Sequence, residues 1–240
     1  MEAERPPARA VTQRKTVTFV RHGVAAHNFH GVQDPHPDEP ARYTDSPLTD
    51  YGRAQAAAAA TITPALGCEL LVCAPLSRAI ETGLLAFPDA PRIVAHEAVR
   101  EYAARRYANK RKTRTELAAA FDRVDFSLIE SDPDPLFNPD QAEPWPAGPI
   151  ARAKEFMGWV LQQPERQIAV ASHGVFIEVL LRLFSALPED ERVMNCELRT
   201  MVVQPSEGGM PCEMVELLPT MEPPEAAVKK ECRERGVERQ

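Results

Sequence analysis

Two stretches of this chain end a strand-like run in a histidine and a glycine. Val17-Thr18-Phe19-Val20 leads into Arg21-His22-Gly23, and Gln167-Ile168-Ala169-Val170-Ala171 leads into Ser172-His173-Gly174. A guanidinium offers a planar fork of donors suited to phosphate. A neutral imidazole beside it is a nucleophile that can attack phosphorus. One Arg-His-Gly alone reads as a surface turn with an incidental histidine. Two strand ends that bring His and Gly to the same sheet edge make a site, because open α/β sheets bind ligands at the carboxyl ends of their strands.

The elements that must carry these residues follow from hydrophobic period and chain breakers. Besides the two runs above, Leu70 to Cys73 and Ile93 to Ala95 read as strands, and Thr200 to Gln204 with Glu213 to Leu217 as a hairpin around Gly208-Gly209. Val24 to Asn28 begins a short helix. Thr49 or Asp50 caps a helix through Ala60, and the alanine run Ala56 to Ala60 favours it. Further helices are expected from Pro75 to Ala86, from Glu116 to Phe121, from Ile150 to Gln162 and from Val175 to Leu187, with Pro75 in a first turn. The stretch from Gly31 to Pro47 is too rich in proline for regular structure. The acidic, Pro-rich stretch from Asp125 to Gly148 reads as an insertion lying over the domain. Alternating strands and helices predict an α/β fold of three layers, a mostly parallel sheet with helices on both faces. Residues 1–15 are expected to be a flexible lead-in, 16–219 one catalytic domain, and 220–240 a charged, disordered or loosely helical tail.

Composition narrows the classes. The 240 residues suffice for one well-buried domain. A net charge of -7 argues against a general nucleic-acid binder. The cysteines Cys68, Cys73, Cys196, Cys212 and Cys232 are odd in number and lack metal-type spacing, which suits free thiols in a reducing compartment. No run has the length of a membrane span, and Met1 to Lys15 lacks the apolar core of a signal peptide, so the cytoplasm is expected.

Taken together, the motifs resemble those of the histidine phosphatase superfamily, which includes the cofactor-dependent phosphoglycerate mutases. In order they are Arg21-His22-Gly23 with Asn28, Leu48-Thr49 with Gly52-Arg53-Ala54-Gln55-Ala56, Ala74-Pro75-Leu76-Ser77-Arg78-Ala79 with Glu81-Thr82, Val99-Arg100-Glu101, and Ser172-His173-Gly174. The resemblance implies a phosphoglycerate mutase-like fold, with His22 as the residue that becomes phosphorylated and Arg21, Arg78 and His173 lining the phosphate pocket. It implies a donor from Asn28, close backbone approach at Gly23 and Gly174, and a proton from Glu101 to the leaving oxygen. No cofactor and no metal are implied.

Val24-Ala25 stands where the mutases carry Glu-Ser. Asn109-Lys110-Arg111-Lys112, the run from Val124 to Glu130, and Asn195-Cys196-Glu197-Leu198-Arg199 resemble a fungal and plant subgroup labelled phosphoglycerate mutase-like. The expected activity is therefore hydrolysis of a small organic phosphomonoester, with a phosphomutase or a catalytically silent phosphate-binding module as alternatives. The partner is a small-molecule phosphate ester, with neither nucleic acid nor membrane. The basic run Arg105, Arg106, Lys110, Arg111, Lys112 and Arg114 either borders the site, with Arg111 binding substrate, or is a solvated face. A rival reading gathers His22, His27, His30 and His36 with Asp34 and Asp38 into a metal cluster, since these are suitable ligands.

Overall fold

The computed structural model describes residues 14–29, 44–103, 105–184, 186–208 and 210–237. Most of the 1–15 lead-in, most of the proline-rich loop, and His30, Asp34, His36 and Asp38 of the metal reading lie outside these residues.

The sheet has six strands: β1 (Lys15–Arg21), β2 (Leu70–Cys73), β3 (Ile93–Ala95), β4 (Gln167–Ser172), β5 (Leu198–Pro205) and β6 (Cys212–Leu217). Their spatial order is β3-β2-β4-β1-β5-β6. The first four are mutually parallel, β5 runs antiparallel to β1, and β6 is antiparallel to β5. The register pairs Arg21 with Ser172, so the two histidines that follow leave the sheet side by side.

Helices cover both faces, as the alternation of elements predicts. Val17, Phe19, Leu70, Val72, Ile168 and Val170 face α5 (Ala147–Gln162) and α6 (Gly174–Leu183). On the other face, Val20, Leu71, Cys73, Ala169 and Ala171 pack with residues of α2 (Asp50–Ala59), α3 (Ser77–Ala86) and α4 (Arg114–Ala120). Fully burying each large apolar side chain contributes roughly 1.5–3 kcal/mol, which makes the sheet a rigid base for its strand ends. α1 (Ala26–Phe29) is a single turn beyond β1.

Thr49 caps α2 as read from the sequence, its hydroxyl accepting from Gly52 N at 3.0 Å. The small buried residues Ala54, Ala56, Ala58 and Ala59 let α2 pack closely between its neighbours. Three expectations are adjusted. Pro75 precedes α3 rather than standing in its first turn, and α6 stops at Leu183. The tail beyond residue 219 contains α7 (Glu225–Glu234), whose Val228 and Cys232 are buried against Ala54 and Ala58 of α2. An apolar spacing of four within a charged segment gives it one face to bury. All five cysteines are free, and no helix among the described residues is long and apolar enough to cross a membrane.

Candidate active site

The carboxyl ends of β1 and β4 bring Arg21, His22 and His173 together. His22 and His173 are both buried, with ring centroids 5.1 Å apart in an edge-on arrangement. His22 Nδ1 lies 2.7 Å from the Gly23 carbonyl oxygen. A carbonyl can only accept, so Nδ1 carries the proton and Nε2 keeps its lone pair.

The turn that makes this bond is held on each side. His22 N donates to Ser172 O at 2.9 Å, and Asn195 Nδ2 donates to His22 O at 2.6 Å. Gly23 N donates to Thr82 Oγ1 at 3.0 Å and Val24 N to Gln55 Oε1 at 3.0 Å. Gly23 has to be glycine because a Cβ there would lie 2.4 Å from Gly52 O. The converse also holds, since a Cβ on Gly52 would lie 2.1 Å from Val24 O.

Arg78 comes from the first turn of α3 and is 1% exposed. Nη1 donates to Ala108 O at 2.6 Å and Nη2 to Asn109 Oδ1 at 2.9 Å, while Nε has no partner among the described residues. Burial lowers its pKa to about 10, against the opposing pull of Asp45 and Glu101, so it stays a cation at neutral pH. Arg21 Nη1 donates to Val193 O at 2.7 Å, and its Nε is likewise buried without a partner. Gly174 makes room for this guanidinium, since a Cβ there would sit 3.2 Å from Arg21 Nε. Both ring nitrogens of His173 and Nδ1 of His27 are also buried and unpartnered. Buried polar groups are ordinarily satisfied. These five atoms, on Arg21, Arg78, His173 and His27, belong to residues whose charges and rings act on His22. Since a neutral His173 donates from one ring nitrogen only, they make a socket that can offer four donors to an oxyanion.

Electrostatics keeps the imidazoles neutral. Burial pushes His22 and His173 well below the ordinary histidine value, and the charge of Arg78 pushes both further. His27 falls to about 3, through burial first and then Arg78, Arg106 and Arg21. The socket therefore combines two permanent cations with three neutral imidazoles.

Glu101 lies where the strap after β3 meets the start of α6. Its Oε1 accepts from Tyr102 N at 2.8 Å and Phe176 N at 3.3 Å, and its Oε2 from Val175 N at 3.4 Å. Ser172 Oγ donates to Val99 O at 2.6 Å, and Arg152 Nη1 donates to Ala98 O and Arg100 O at 2.9 and 2.8 Å, which fixes the strap.

One expected substrate contact, Arg111, is placed differently, and the contacts of Asn28 are local. Arg111 is buried and points inward. Its Nε pairs with Glu97 at 2.7 Å, and its two Nη groups donate to the carbonyls of Lys112, Ser131, Asp132 and Pro133. It carries no free donor to offer a substrate, which corrects the reading of Arg111 as a binding residue. Asn28 accepts from Ala25 N at 2.9 Å through Oδ1, and its Nδ2 lies 3.3 Å from His27 Nε2, so its contacts are within its own turn. Of the remaining basic run, Lys110 lies over the Tyr107 and Phe137 rings and Lys112 reaches within 4.0 Å of Asp45.

Sequence reading missed Asp45. It is buried and accepts from Ser77 N at 2.7 Å and Ser77 Oγ at 2.5 Å, which caps the helix that carries Arg78. The Asp-Ser-Pro turn signal at Asp45-Ser46-Pro47 was its only trace. Among the described residues no group of three or more His, Cys, Asp or Glu is arranged to hold a metal ion.

A family model described as the histidine phosphatase superfamily, branch 1, matches residues 17–210. The phosphoglycerate mutase-like protein of Arabidopsis thaliana is 29% identical over 232 residues, covering 79% of this chain and 84% of the relative. Among solved structures, the ecdysone phosphate phosphatase from Bombix mori in complex with tungstate superposes with a TM-score of 0.58 at 16% identity, covering 87% of this chain and 95% of that one. The mycobacterial glucosyl-3-phosphoglycerate phosphatase in complex with VO3 gives a TM-score of 0.55 at 17% identity, covering 84% and 98%. At these identities the two solved structures establish a shared fold.

Proposed function

From the premise that this chain belongs to the histidine phosphatase superfamily, we propose that it hydrolyses a small organic phosphomonoester through a phosphohistidine on His22. The observation that carries this reading is the Nδ1 bond of His22 to Gly23 O, which aims a neutral, unprotonated Nε2 among the unpartnered donors of Arg21, Arg78 and His173. A nucleophile and an oxyanion socket are what phosphoryl transfer needs.

In the first step the Nε2 lone pair attacks phosphorus, an N–P bond forms and the P–O bond to the alcohol breaks. Negative charge on the non-bridging oxygens is met by Arg21 and Arg78, with His173 as a neutral donor. The departing alkoxide takes a proton, which we assign to Glu101. In the second step water attacks phosphorus, its proton passes to the Glu101 carboxylate, and the N–P bonding pair returns to Nε2. Ester and water become alcohol and inorganic phosphate.

The phosphatase names of the two solved structures, acting on esters of organic alcohols, favour hydrolysis. The name of the plant relative favours the mutase alternative, in which a second alcohol takes the place of water. Val24 and Ala25 offer no side-chain donor of the kind the mutases carry there.

A panel of phosphomonoesters that includes the phosphoglycerates tests the proposal. Wild type should release inorganic phosphate from at least one and show acid-labile labelling, and His22→Ala should lose both. Near-normal turnover by His22→Ala would overturn the mechanism. Isomerisation without net phosphate release would make the protein a mutase.

A further inference from the structure

His27 has the geometry of a substrate-binding residue, and Asn28 supplies the reason. Asn28 Oδ1 accepts from the backbone N–H of Ala25, which fixes the orientation of the amide, because a backbone N–H can only donate. The nitrogen 3.3 Å from His27 Nε2 is therefore Nδ2, also a donor. His27 Nε2 must accept, and in a neutral ring the proton then resides on Nδ1. The ring is neutral because of burial and the charges of Arg78, Arg106 and Arg21.

That Nδ1–H is buried and has no hydrogen-bond partner among the described residues. A histidine that served only the core would have both nitrogens satisfied. The backbone that carries the ring is held in place. His27 N donates to Ser46 Oγ at 3.0 Å, Ala26 N donates to Pro47 O at 2.9 Å, and Ala25 bridges to Leu48. The ring centroid is 5.9 Å from that of His22, and Arg21 and Arg78 act on it as they act on His22. The ring that carries the free donor therefore stands beside the nucleophile, within the field of both site arginines.

We infer that His27 binds the phosphoryl group through an Nδ1–H bond to a non-bridging oxygen, and that Asn28 is a positioning residue that holds the required tautomer. This rests on the phosphate socket of the reading above and adds a contact to it. It also adds a part for Asn28 to the donor role expected of it, since one Nδ2 hydrogen acts through the ring. A neutral donor grips the oxyanion without adding a third cation beside Nε2, which would tie up electron density that the attack requires.

The test is calorimetric titration of inorganic phosphate into wild type, His27→Leu, His27→Asn, Asn28→Asp and the double variant His27→Leu with Asn28→Asp, alongside ester turnover. The amide nitrogen of Asn falls near the Nδ1 position, so His27→Asn keeps the donor. Asp at 28 still accepts from Ala25 but presents an acceptor to Nε2, which moves the ring proton away from Nδ1. Hydrogen bonds to charged groups imply that His27→Leu weakens phosphate binding about tenfold or more, while His27→Asn stays within about threefold of wild type. Asn28→Asp should cost about tenfold in the wild-type background and much less once His27 is Leu.

Unchanged binding by His27→Leu overturns the inference, as does an equal loss in His27→Leu and His27→Asn. An equal cost of Asn28→Asp in both backgrounds assigns the contact to Asn28 itself and overturns it too. Should His27→Leu fail to fold, His27→Gln replaces it, since its amide reaches the Nε2 position and leaves Nδ1 empty. Phosphate binding without ester turnover in wild type would defeat the proposed hydrolysis while the same titrations still decide the role of His27. Absence of both binding and turnover defeats both readings.

Discussion

Arg100 grips Asp134 with two parallel bonds, Nη1 to Oδ1 at 2.6 Å and Nη2 to Oδ2 at 2.7 Å, and the two side chains are 2% and 1% exposed. The pair ties the acidic insertion to the strap that carries Glu101. Arg100 Nη2 also donates to Asn109 O at 2.6 Å, and the Asn109 side chain in turn receives Arg78. A segment with little regular structure of its own is thereby made part of the wall behind the phosphate socket. Burying such a pair gains little net energy, but removing one partner strands a charge and costs about 3–5 kcal/mol.

Arg111 belongs to the same clip, and this separates a structural role from the substrate-binding role read from the sequence. Arg111→Met removes one of two arginine partners of Glu97, which keeps Arg100. It leaves the carbonyls of Lys112 and Ser131 without their donor, while Asp132 O keeps Arg114 N and Pro133 O keeps Ser131 Oγ. Two carbonyls left unsatisfied at about 1–3 kcal/mol each give an expected loss of about 3 kcal/mol, a fall in Tm of about 6–12 °C for a chain of this size. Thermal unfolding and kinetics on the same preparations check this. A raised KM for anionic substrates with an unchanged Tm would return Arg111 to the binding surface.

The difference between Arg78 and Arg111 marks the limit of what residue order reveals. Strands β2 and β3 and the cap at Thr49 were legible because a period, a breaker or a cap lies within a few residues. Arg78 could be placed because its neighbours form a motif, although alone it reads as a solvated helix charge. Arg111 sits in a run of lysines and arginines, and its burial depends on carbonyls of Ser131, Asp132 and Pro133 about twenty residues on. Asp45 caps a helix 32 residues away, and Asn195 holds His22 across 173 residues. Contacts at that range leave no local period or composition to read. The position of His27 was visible, but which of its nitrogens was free depended on the amide orientation of Asn28.

Acid should destabilise the fold well before its carboxylates protonate. His22 and His173 are held well below the ordinary histidine value by burial, His27 is at about 3 and His96 at about 4. In the unfolded chain each takes up a proton near pH 6.5. The unfolded state therefore binds more protons as pH falls below about 6.5, and stability is lost from there down to the folded pKa values. Each histidine contributes at most about 1.4 kcal/mol per pH unit in that window. Asp45 opposes the trend, because its pKa is raised by burial, but it is one group against four. Denaturant unfolding between pH 8 and 5 should give a plateau above about 6.5 and a decline below it. A flat profile to pH 5 would mean that these rings accept protons in the folded protein.

In the proposed hydrolysis the remaining chemical step is assigned to Glu101. In that proposal attack by His22 expels an alkoxide, a poor leaving group, so a placed acid should protonate it as the bond breaks. Glu101 is held by backbone donors at the start of α6, and its two oxygens are not equivalent. Oε1 takes two N–H bonds, from Tyr102 and Phe176, whereas Oε2 has one long contact of 3.4 Å from Val175. The proposed proton is therefore assigned to Oε2, the less bonded oxygen. Glu101→Gln preserves both bonds to Oε1 and sacrifices the long one, so position and shape are retained and the transferable proton is lost. Hydrolysis of an alkyl phosphate should fall about a hundredfold or more, the usual worth of general acid catalysis. An aryl phosphate with an acidic phenol needs no such help and should lose much less. The two substrates assayed side by side make the test, since a disturbed α6 end would move His173 and slow both alike. An equal loss would leave Glu101 as an anchor for that helix and place the proton donor elsewhere.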